Sequence, residues 1–144
     1  MTTDEAVCNQ TKEKLAKAAQ RIMQNAYAPY SKFKVGAAIL TYQGNIYAGC
    51  NVENAAYPIG SCAEAAAICA MVAAGETTIS MIAVAGLGES LCTPCGGCRQ
   101  RIREFAAEET PVLICDGNSI RRETTLNELL PLSFGPDNLG AHSL

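Results

Sequence analysis

The chain has 144 residues, 17% charged residues and a formal net charge of −3, which suit one domain able to bury a core without disulfide bonds. The acidic balance argues against a protein that binds a nucleic-acid backbone, and no apolar stretch is long enough to span a membrane. The first ten residues lack the basic and apolar regions of a secretory signal. We therefore expect a single cytoplasmic domain over residues 1–144.

The hydrophobic pattern predicts helices alternating with strands. In chain order the predicted elements are a helix over 4–26, strands over 33–40 and 46–52 that form a hairpin, a helix over 61–74, a strand over 79–85, a helix over 95–107, a strand over 111–115 and a short helical segment over 126–130. Alternation in the second half favours parallel pairing there. We expect an α/β protein with helices on the faces of a mixed sheet, ending in a fifth strand or small helix.

Two cysteine motifs stand out at predicted helix starts. Cys62-Ala63-Glu64 begins one helix and Pro94-Cys95-Gly96-Gly97-Cys98 begins the next. Cys95 and Cys98 are three residues apart and so share a helix face. Three thiolates can occupy three corners of a zinc tetrahedron and leave the fourth to water. Helix N-termini favour thiolates there by lowering thiol pKa values.

Glu64 lies two residues after Cys62, in the first helical turn. Alone it would be an ordinary helix-start carboxylate, because acidic residues favour that position. Beside two metal-binding motifs it is better interpreted as the group that takes a proton from water and delivers it to a substrate.

The cysteines leave two alternatives open. Cys92, Cys95 and Cys98 form C-x2-C-x2-C, part of an iron–sulfur pattern, although the usual C-x3-C-P ending is absent. Cys62 and those three could instead form a closed structural zinc site with four cysteine ligands. The remaining four cysteines lie in apolar patterns and are expected in the core: Cys8, Cys50, Cys69 and Cys115. His142, the one histidine, lies in the tail and is a poor ligand candidate.

The C-A-E and P-C-x-x-C motifs match the signature of zinc deaminases that act on cytosine or adenine bases. The matching segments are Pro29-Tyr30-Ser31, 33–38, 49–55, 62–64, 94–100, 129–131 and Ser133-Phe134-Gly135-Pro136. Together they resemble the small, homotetrameric type of the cytidine/deoxycytidylate deaminase family. The resemblance implies a three-layer α/β/α fold with a mixed five-stranded sheet and one zinc ion per subunit on Cys62, Cys95 and Cys98. It implies hydrolysis of cytidine and deoxycytidine to uridine and deoxyuridine in pyrimidine salvage, with Glu64 catalytic.

The same resemblance implies a nucleoside pocket. Asn51 and Glu53 would hold the sugar hydroxyls, and their i, i+2 spacing on a strand puts both side chains on one side. The other implied substrate-binding residues are Phe33 against the pyrimidine, Phe134 stacked on the base across a subunit boundary, the backbone of Ala63 at the base edge, and Ala55 with Tyr57 near the sugar. Without the resemblance, core packing for Phe33 and tail docking for Phe134 would be the simpler interpretations.

One position departs from the family pattern. Many members carry an arginine directly after the catalytic glutamate, where it offsets thiolate charge, and this chain has Ala65. Helix N-termini or another cation such as Arg99 must then compensate. Arg101 and Arg103 follow at alternate positions, and with Arg121 and Arg122 they are interpreted as a solvated surface.

The sequence leaves three alternatives to a cytidine deaminase-like function. A deaminase of another aminopyrimidine nucleoside, of the blasticidin S or isocytidine type, would use similar metal motifs. A non-catalytic structural-zinc module would need four protein ligands. Editing of a polynucleotide is disfavoured by the acidic balance and by the small surface of a short chain.

Overall fold

A computed structural model describes residues 2–140, so His142 lies outside the described residues. The helices are α1 (Thr3–Met23), α2 (Ala63–Ala73), α3 (Gly96–Phe105) and α4 (Leu126–Leu129), and short 3-10 turns occupy Tyr57–Ile59 and Pro136–Leu139. The strands are β1 (Val35–Thr41), β2 (Ile46–Cys50), β3 (Ile79–Gly86), β4 (Pro111–Cys115) and β5 (Ile120–Thr125). No helix within residues 2–140 is long and apolar enough to cross a membrane.

The strands form one five-stranded sheet in the order β2-β1-β3-β4-β5. β3 and β4 pair in parallel, as the helix between them requires, and the other neighbours are antiparallel. The mixed sheet and its parallel pair are therefore confirmed. The second predicted strand is two residues shorter than expected, since β2 ends at Cys50.

Helices cover both faces of the sheet and make the predicted three layers. One face packs on α1 through a cluster that includes Leu15, Ala19 and Met23. The other packs on α2 and α3, with Met71 and Ile102 in its core. The arrangement brings the N-termini of α2 and α3, and hence both cysteine motifs, to one side of the molecule.

Two cysteines expected in the core are instead exposed. The buried stripe of α1 begins at Leu15, so the first turns of that helix, with Cys8, lie outside the packed layer. Cys69 falls off the buried stripe of α2, next to Ile68 but turned about 100° from it around the helix axis. Cys115 is buried as predicted and Cys50 is half-buried.

Candidate active site

The sulfur atoms of Cys62, Cys95 and Cys98 lie within 4.8 Å of one another. Cys62 and Cys95 are the N-cap residues of α2 and α3, with extended backbone, and Cys98 is fully buried in the first turn of α3. The backbone conformation at each N-cap turns the side chain back over its helix N-terminus. The sequence motifs therefore meet in space as expected.

The three thiols suit a soft divalent cation. Sulfurs sharing one tetrahedral zinc ion are about 3.8 Å apart, from a bond length of about 2.3 Å, so only a small contraction is needed. Burial, followed by the charges of Glu64 and Cys62, raises the pKa of Cys98. The backbone N–H of Cys98 lowers the pKa of Cys95. Three thiols this close together can all ionise only when a cation is bound between them, and Zn²⁺ prefers such thiolate ligands.

Cys92 does not belong to the cluster. Its sulfur packs against Gly86, where an added Cβ would lie 2.5 Å away, and the side chain contributes to the core below α2 and α3. Burial, with a smaller contribution from Glu64, raises the pKa of this thiol to about 11, so it stays neutral. Within residues 2–140 the metal-binding group holds three cysteines, which disfavours both the four-cysteine site and the iron–sulfur pattern.

Glu64 is 4% exposed and lies beside the sulfur cluster on α2. Burial raises the pKa of its carboxyl group, while its own backbone N–H, Cys98 and then Arg101 act in the opposite direction. A carboxyl group whose protonated and ionised forms are brought closer in energy is suited to accept and return a proton. Ala63, directly before it, is fully buried.

Asn51 and Glu53 lie just after β2 and both hold the loop that leads into β1. Asn51 accepts from the N–H of Val35 at 2.8 Å and donates from its amide to the carbonyl of Phe33 at 2.9 Å. Oε1 of Glu53 accepts from the N–H groups of Tyr30 and Ser31 at 2.9 and 3.1 Å. The Ser31 hydroxyl and these N–H groups lower the pKa of Glu53, which therefore stays ionised.

A cavity of about 380 Å³ opens beside Glu53. Tyr57 lines it and makes an edge-to-face contact with Tyr30, with ring centroids 5.7 Å apart. The sequence alone assigns no role to Tyr30 and Ser31, although they belong to the matched Pro29-Tyr30-Ser31 segment. None of the three clustered cysteines lines this cavity.

The other predicted substrate-binding residues lie on the surface. Phe33 precedes β1 and is 44% exposed, against the alternative of core packing, and it lines two further cavities together with Leu87. Ala55 is exposed in the loop before Tyr57. Phe134 is 58% exposed and is held through its carbonyl by Gln100 of α3. No hydrogen bond among the described residues links Phe134 to Asn51 or Glu53.

Arg99 is bound to backbone carbonyls next to the second cysteine motif. Its guanidinium donates to the carbonyls of Pro94 and Leu129, both at 2.6 Å, and these contacts fix the start of α3 and the end of α4. Arg101 is the positive charge that acts to lower the pKa of Cys62, against the larger effect of burial, and it does the same at Glu64. It lies three residues after Cys98 on one helix face, a spacing visible in the sequence.

Replacing Arg101 with Gln should weaken zinc retention about two- to fivefold at and below neutral pH, a size typical of an exposed charge pair. Three thiolates on one divalent ion carry a net charge of −1, so loss of a nearby positive charge destabilises the zinc-loaded site. Titration with a chromophoric chelator between pH 5 and 7.5 measures the effect. Arg122→Gln, on the exposed face of β5, is the control, and equal retention in both variants would contradict the assignment.

Comparisons with known proteins agree with this geometry. The family model "Cytidine and deoxycytidylate deaminase zinc-binding region" matches residues 9–114. A cytidine deaminase of Sporosarcina psychrophila is 42% identical over 127 residues, which are 88% of this chain and 93% of the relative. A cytidine deaminase of Halalkalibacterium halodurans is 35% identical, with 89% and 97% covered. The crystal structure of cytidine deaminase from Burkholderia pseudomallei superposes with a TM-score of 0.80 at 40% identity, covering 85% of this chain and 98% of the other. The chain therefore belongs to the cytidine and deoxycytidylate deaminase family.

Proposed function

We propose that the chain is a zinc-dependent hydrolase that converts cytidine and deoxycytidine to uridine and deoxyuridine with release of ammonia. The observation that carries the proposal is the nearly buried Glu64 beside three clustered cysteines, in a chain similar to cytidine deaminases over most of its length. A structural-zinc module would need a fourth protein ligand and has no use for a buried carboxyl group next to the metal.

Cys62, Cys95 and Cys98 would hold the zinc ion. When bound, zinc supplies a Lewis acid that makes water a good nucleophile at neutral pH. Glu64 accepts the proton released by the attacking water and delivers it to the ring nitrogen next to the amino-bearing carbon. Glu64 then takes the remaining proton of the added hydroxyl group and passes it to the departing amine, so that the carbonyl of uridine forms as ammonia leaves. Its burial excludes bulk water that would otherwise compete for that proton.

Asn51 and Glu53 would bind the sugar hydroxyls. Glu53 uses Oε1 for the backbone of Tyr30 and Ser31, and its second carboxylate oxygen accepts no backbone hydrogen bond among the described residues. Asn51 retains one amide hydrogen and one acceptor site beyond its two backbone contacts. Phe33 would pack on the pyrimidine, the backbone of Ala63 would contact the base edge, and Ala55 and Tyr57 would lie near the sugar.

Replacing Glu53 with Gln should raise KM for cytidine by about tenfold, the value of one charge-assisted hydrogen bond, with a smaller change in kcat. Gln keeps the carbonyl that accepts from Tyr30 and Ser31, so the loop is preserved. Steady-state kinetics with cytidine and with 2′,3′-dideoxycytidine test this. The dideoxynucleoside lacks the 2′- and 3′-hydroxyls, so its KM should be insensitive to the substitution. An equal rise in KM for both substrates would show that Glu53 acts only through the loop.

We further propose that the protein is a homotetramer whose active sites are shared between subunits, and that it acts in the cytoplasm in pyrimidine salvage. The exposed aromatic residues support the proposed assembly. Tyr27, Tyr30, Phe33, Tyr57 and Phe134 expose between 44% and 74% of their surface, and aromatic side chains are enriched in protein–protein interfaces. Phe134 and Tyr57 would then complete a neighbour's pocket. We also propose that residues 1–144 form a single domain.

A panel of nucleosides assayed for ammonia tests the proposed substrate. Cytidine and deoxycytidine should be consumed, whereas isocytidine, blasticidin S, adenosine and free cytosine should react far more slowly. Preference for isocytidine or blasticidin S would contradict the proposed substrate and leave the proposed deamination chemistry standing. Absence of ammonia from every compound with zinc-loaded protein would favour the non-catalytic module.

A further inference from the structure

The segment that carries Phe134 is fastened to α3 by a buried arginine. Nε of Arg103 donates to the hydroxyl of Ser133 at 2.9 Å, and its NH2 group lies 3.4 Å from a carboxylate oxygen of Asp137. These two partners stand on either side of Phe134 along the chain. A weaker approach of 4.0 Å joins the same guanidinium nitrogen to Glu108.

The guanidinium also packs directly on the backbone of this segment. Gly135 is buried, and a Cβ built on it would lie 2.5 Å from Cζ of Arg103 and 2.7 Å from NH2. Only a hydrogen atom fits between the two groups. Arg103 is itself 6% exposed, so the prediction that it belongs to a solvated surface is wrong.

Gln100 supplies a second attachment one helical turn earlier. Its side-chain amide donates to the carbonyl of Phe134 at 2.9 Å. Gln100 and Arg103 are three residues apart and therefore lie on one face of α3. The backbone of Phe134 is thus fixed from both sides, while its ring stays 58% exposed.

The helix that holds this segment is also the helix that begins with the metal ligands. Cys95 caps α3 and Cys98 lies in its first turn. Displacement of the Phe134 backbone relative to the metal site must therefore break the contacts of Gln100 and Arg103 with residues 133–137.

We propose that Arg103 is a positioning residue that sets the place of the Phe134 ring for stacking on the pyrimidine. The proposal rests on the proposed function, and it holds whether the ring serves its own subunit or a neighbour. The planar guanidinium is suited to the task, because it donates to two partners in fixed directions and lies flat on Gly135. A lysine at this position keeps the charge but provides a single ammonium group with neither property.

A double-mutant cycle between Arg103→Lys and Phe134→Ala tests the proposal. Phe134→Ala should raise KM for cytidine on the order of tenfold, a value typical of one stacked base. Arg103→Lys should raise KM at least threefold with kcat changed less than twofold. In the Phe134→Ala background, Arg103→Lys should have no further effect on KM. Arg122→Lys, exposed on β5, is the matched control.

The alternatives give different outcomes. If Arg103 is purely structural, Arg103→Lys will lower the melting temperature without changing KM, or will change KM by the same factor in both backgrounds. Either result would overturn the positioning role of Arg103 and leave the proposed function unaffected. An unchanged KM in Phe134→Ala would remove the proposed stacking role and the inference with it.

If Arg103→Lys does not fold, Gly135→Ala takes its place in the cycle, because a methyl group there displaces the same guanidinium. The same criterion then decides between coupled and independent effects on KM.

Discussion

Replacing Glu64 with Gln is expected to abolish turnover of cytidine while zinc stays bound. Glu64 is not among the residues that would hold the metal, and Gln keeps the size and an acceptor oxygen of the side chain. It cannot accept a proton from water or return one to the ring nitrogen. Loss of general acid–base catalysis costs about 10²- to 10⁴-fold in rate, and both proton transfers are assigned to this one group, so we expect the upper end or beyond.

Glu76 offers a matched control for a buried carboxylate outside the site. It is 7% exposed, close to the 4% of Glu64, and accepts hydrogen bonds from Tyr47 and Asn45 at 2.5 and 3.0 Å. Glu76→Gln should lower stability and keep kcat. Zinc content by elemental analysis and ammonia release separate the two variants. Normal turnover in Glu64→Gln would refute its catalytic role.

Replacing Cys98 with Ser is expected to release zinc and with it all measurable activity. Cys98 is fully buried within the three-sulfur cluster, and a hydroxyl group does not ionise there as a thiol bound to zinc does. The variant should lose the metal during dialysis against a mild chelator that leaves the unchanged protein loaded.

Cys92→Ser is the comparison that distinguishes a three-cysteine site from a four-cysteine site. Cys92 is six residues before Cys98, half-buried, and packs on Gly86 away from the cluster. Its replacement should cost some stability and leave the zinc content at one ion per chain. Zinc loss from Cys92→Ser equal to that from Cys98→Ser would restore the closed structural site.

Much of the fold follows from local patterns in the sequence. β3 and β4 are continuous apolar runs bounded by turns, so their bounds were predicted to within one residue. The sequence does not decide between a strand and a small helix after β4, because the residues of β5, Ile-Arg-Arg-Glu-Thr-Thr, lack an apolar alternation. It is an edge strand with charged side chains in solvent, and such a strand is defined by pairing with β4 more than by its own sequence.

In the candidate site, too, features set by neighbouring residues could be predicted and features set by distant segments could not. The three cysteines and Glu64 could be predicted because spacing at a helix start fixes where ligands point. Arg103 could not, since its burial depends on a segment thirty residues further along the chain. The contacts of Arg99 could not be predicted for a similar reason, because one of its partners is the carbonyl of Leu129 at the end of α4.

The most direct test of the account is the conversion of cytidine by the unmodified protein in three states: zinc-loaded, stripped with a chelator, and reloaded with zinc. Uridine and ammonia should form in equal amounts in the first state, disappear in the second and return in the third. Equal turnover in all three states, or none in the zinc-loaded state, would contradict a zinc-dependent cytidine deaminase.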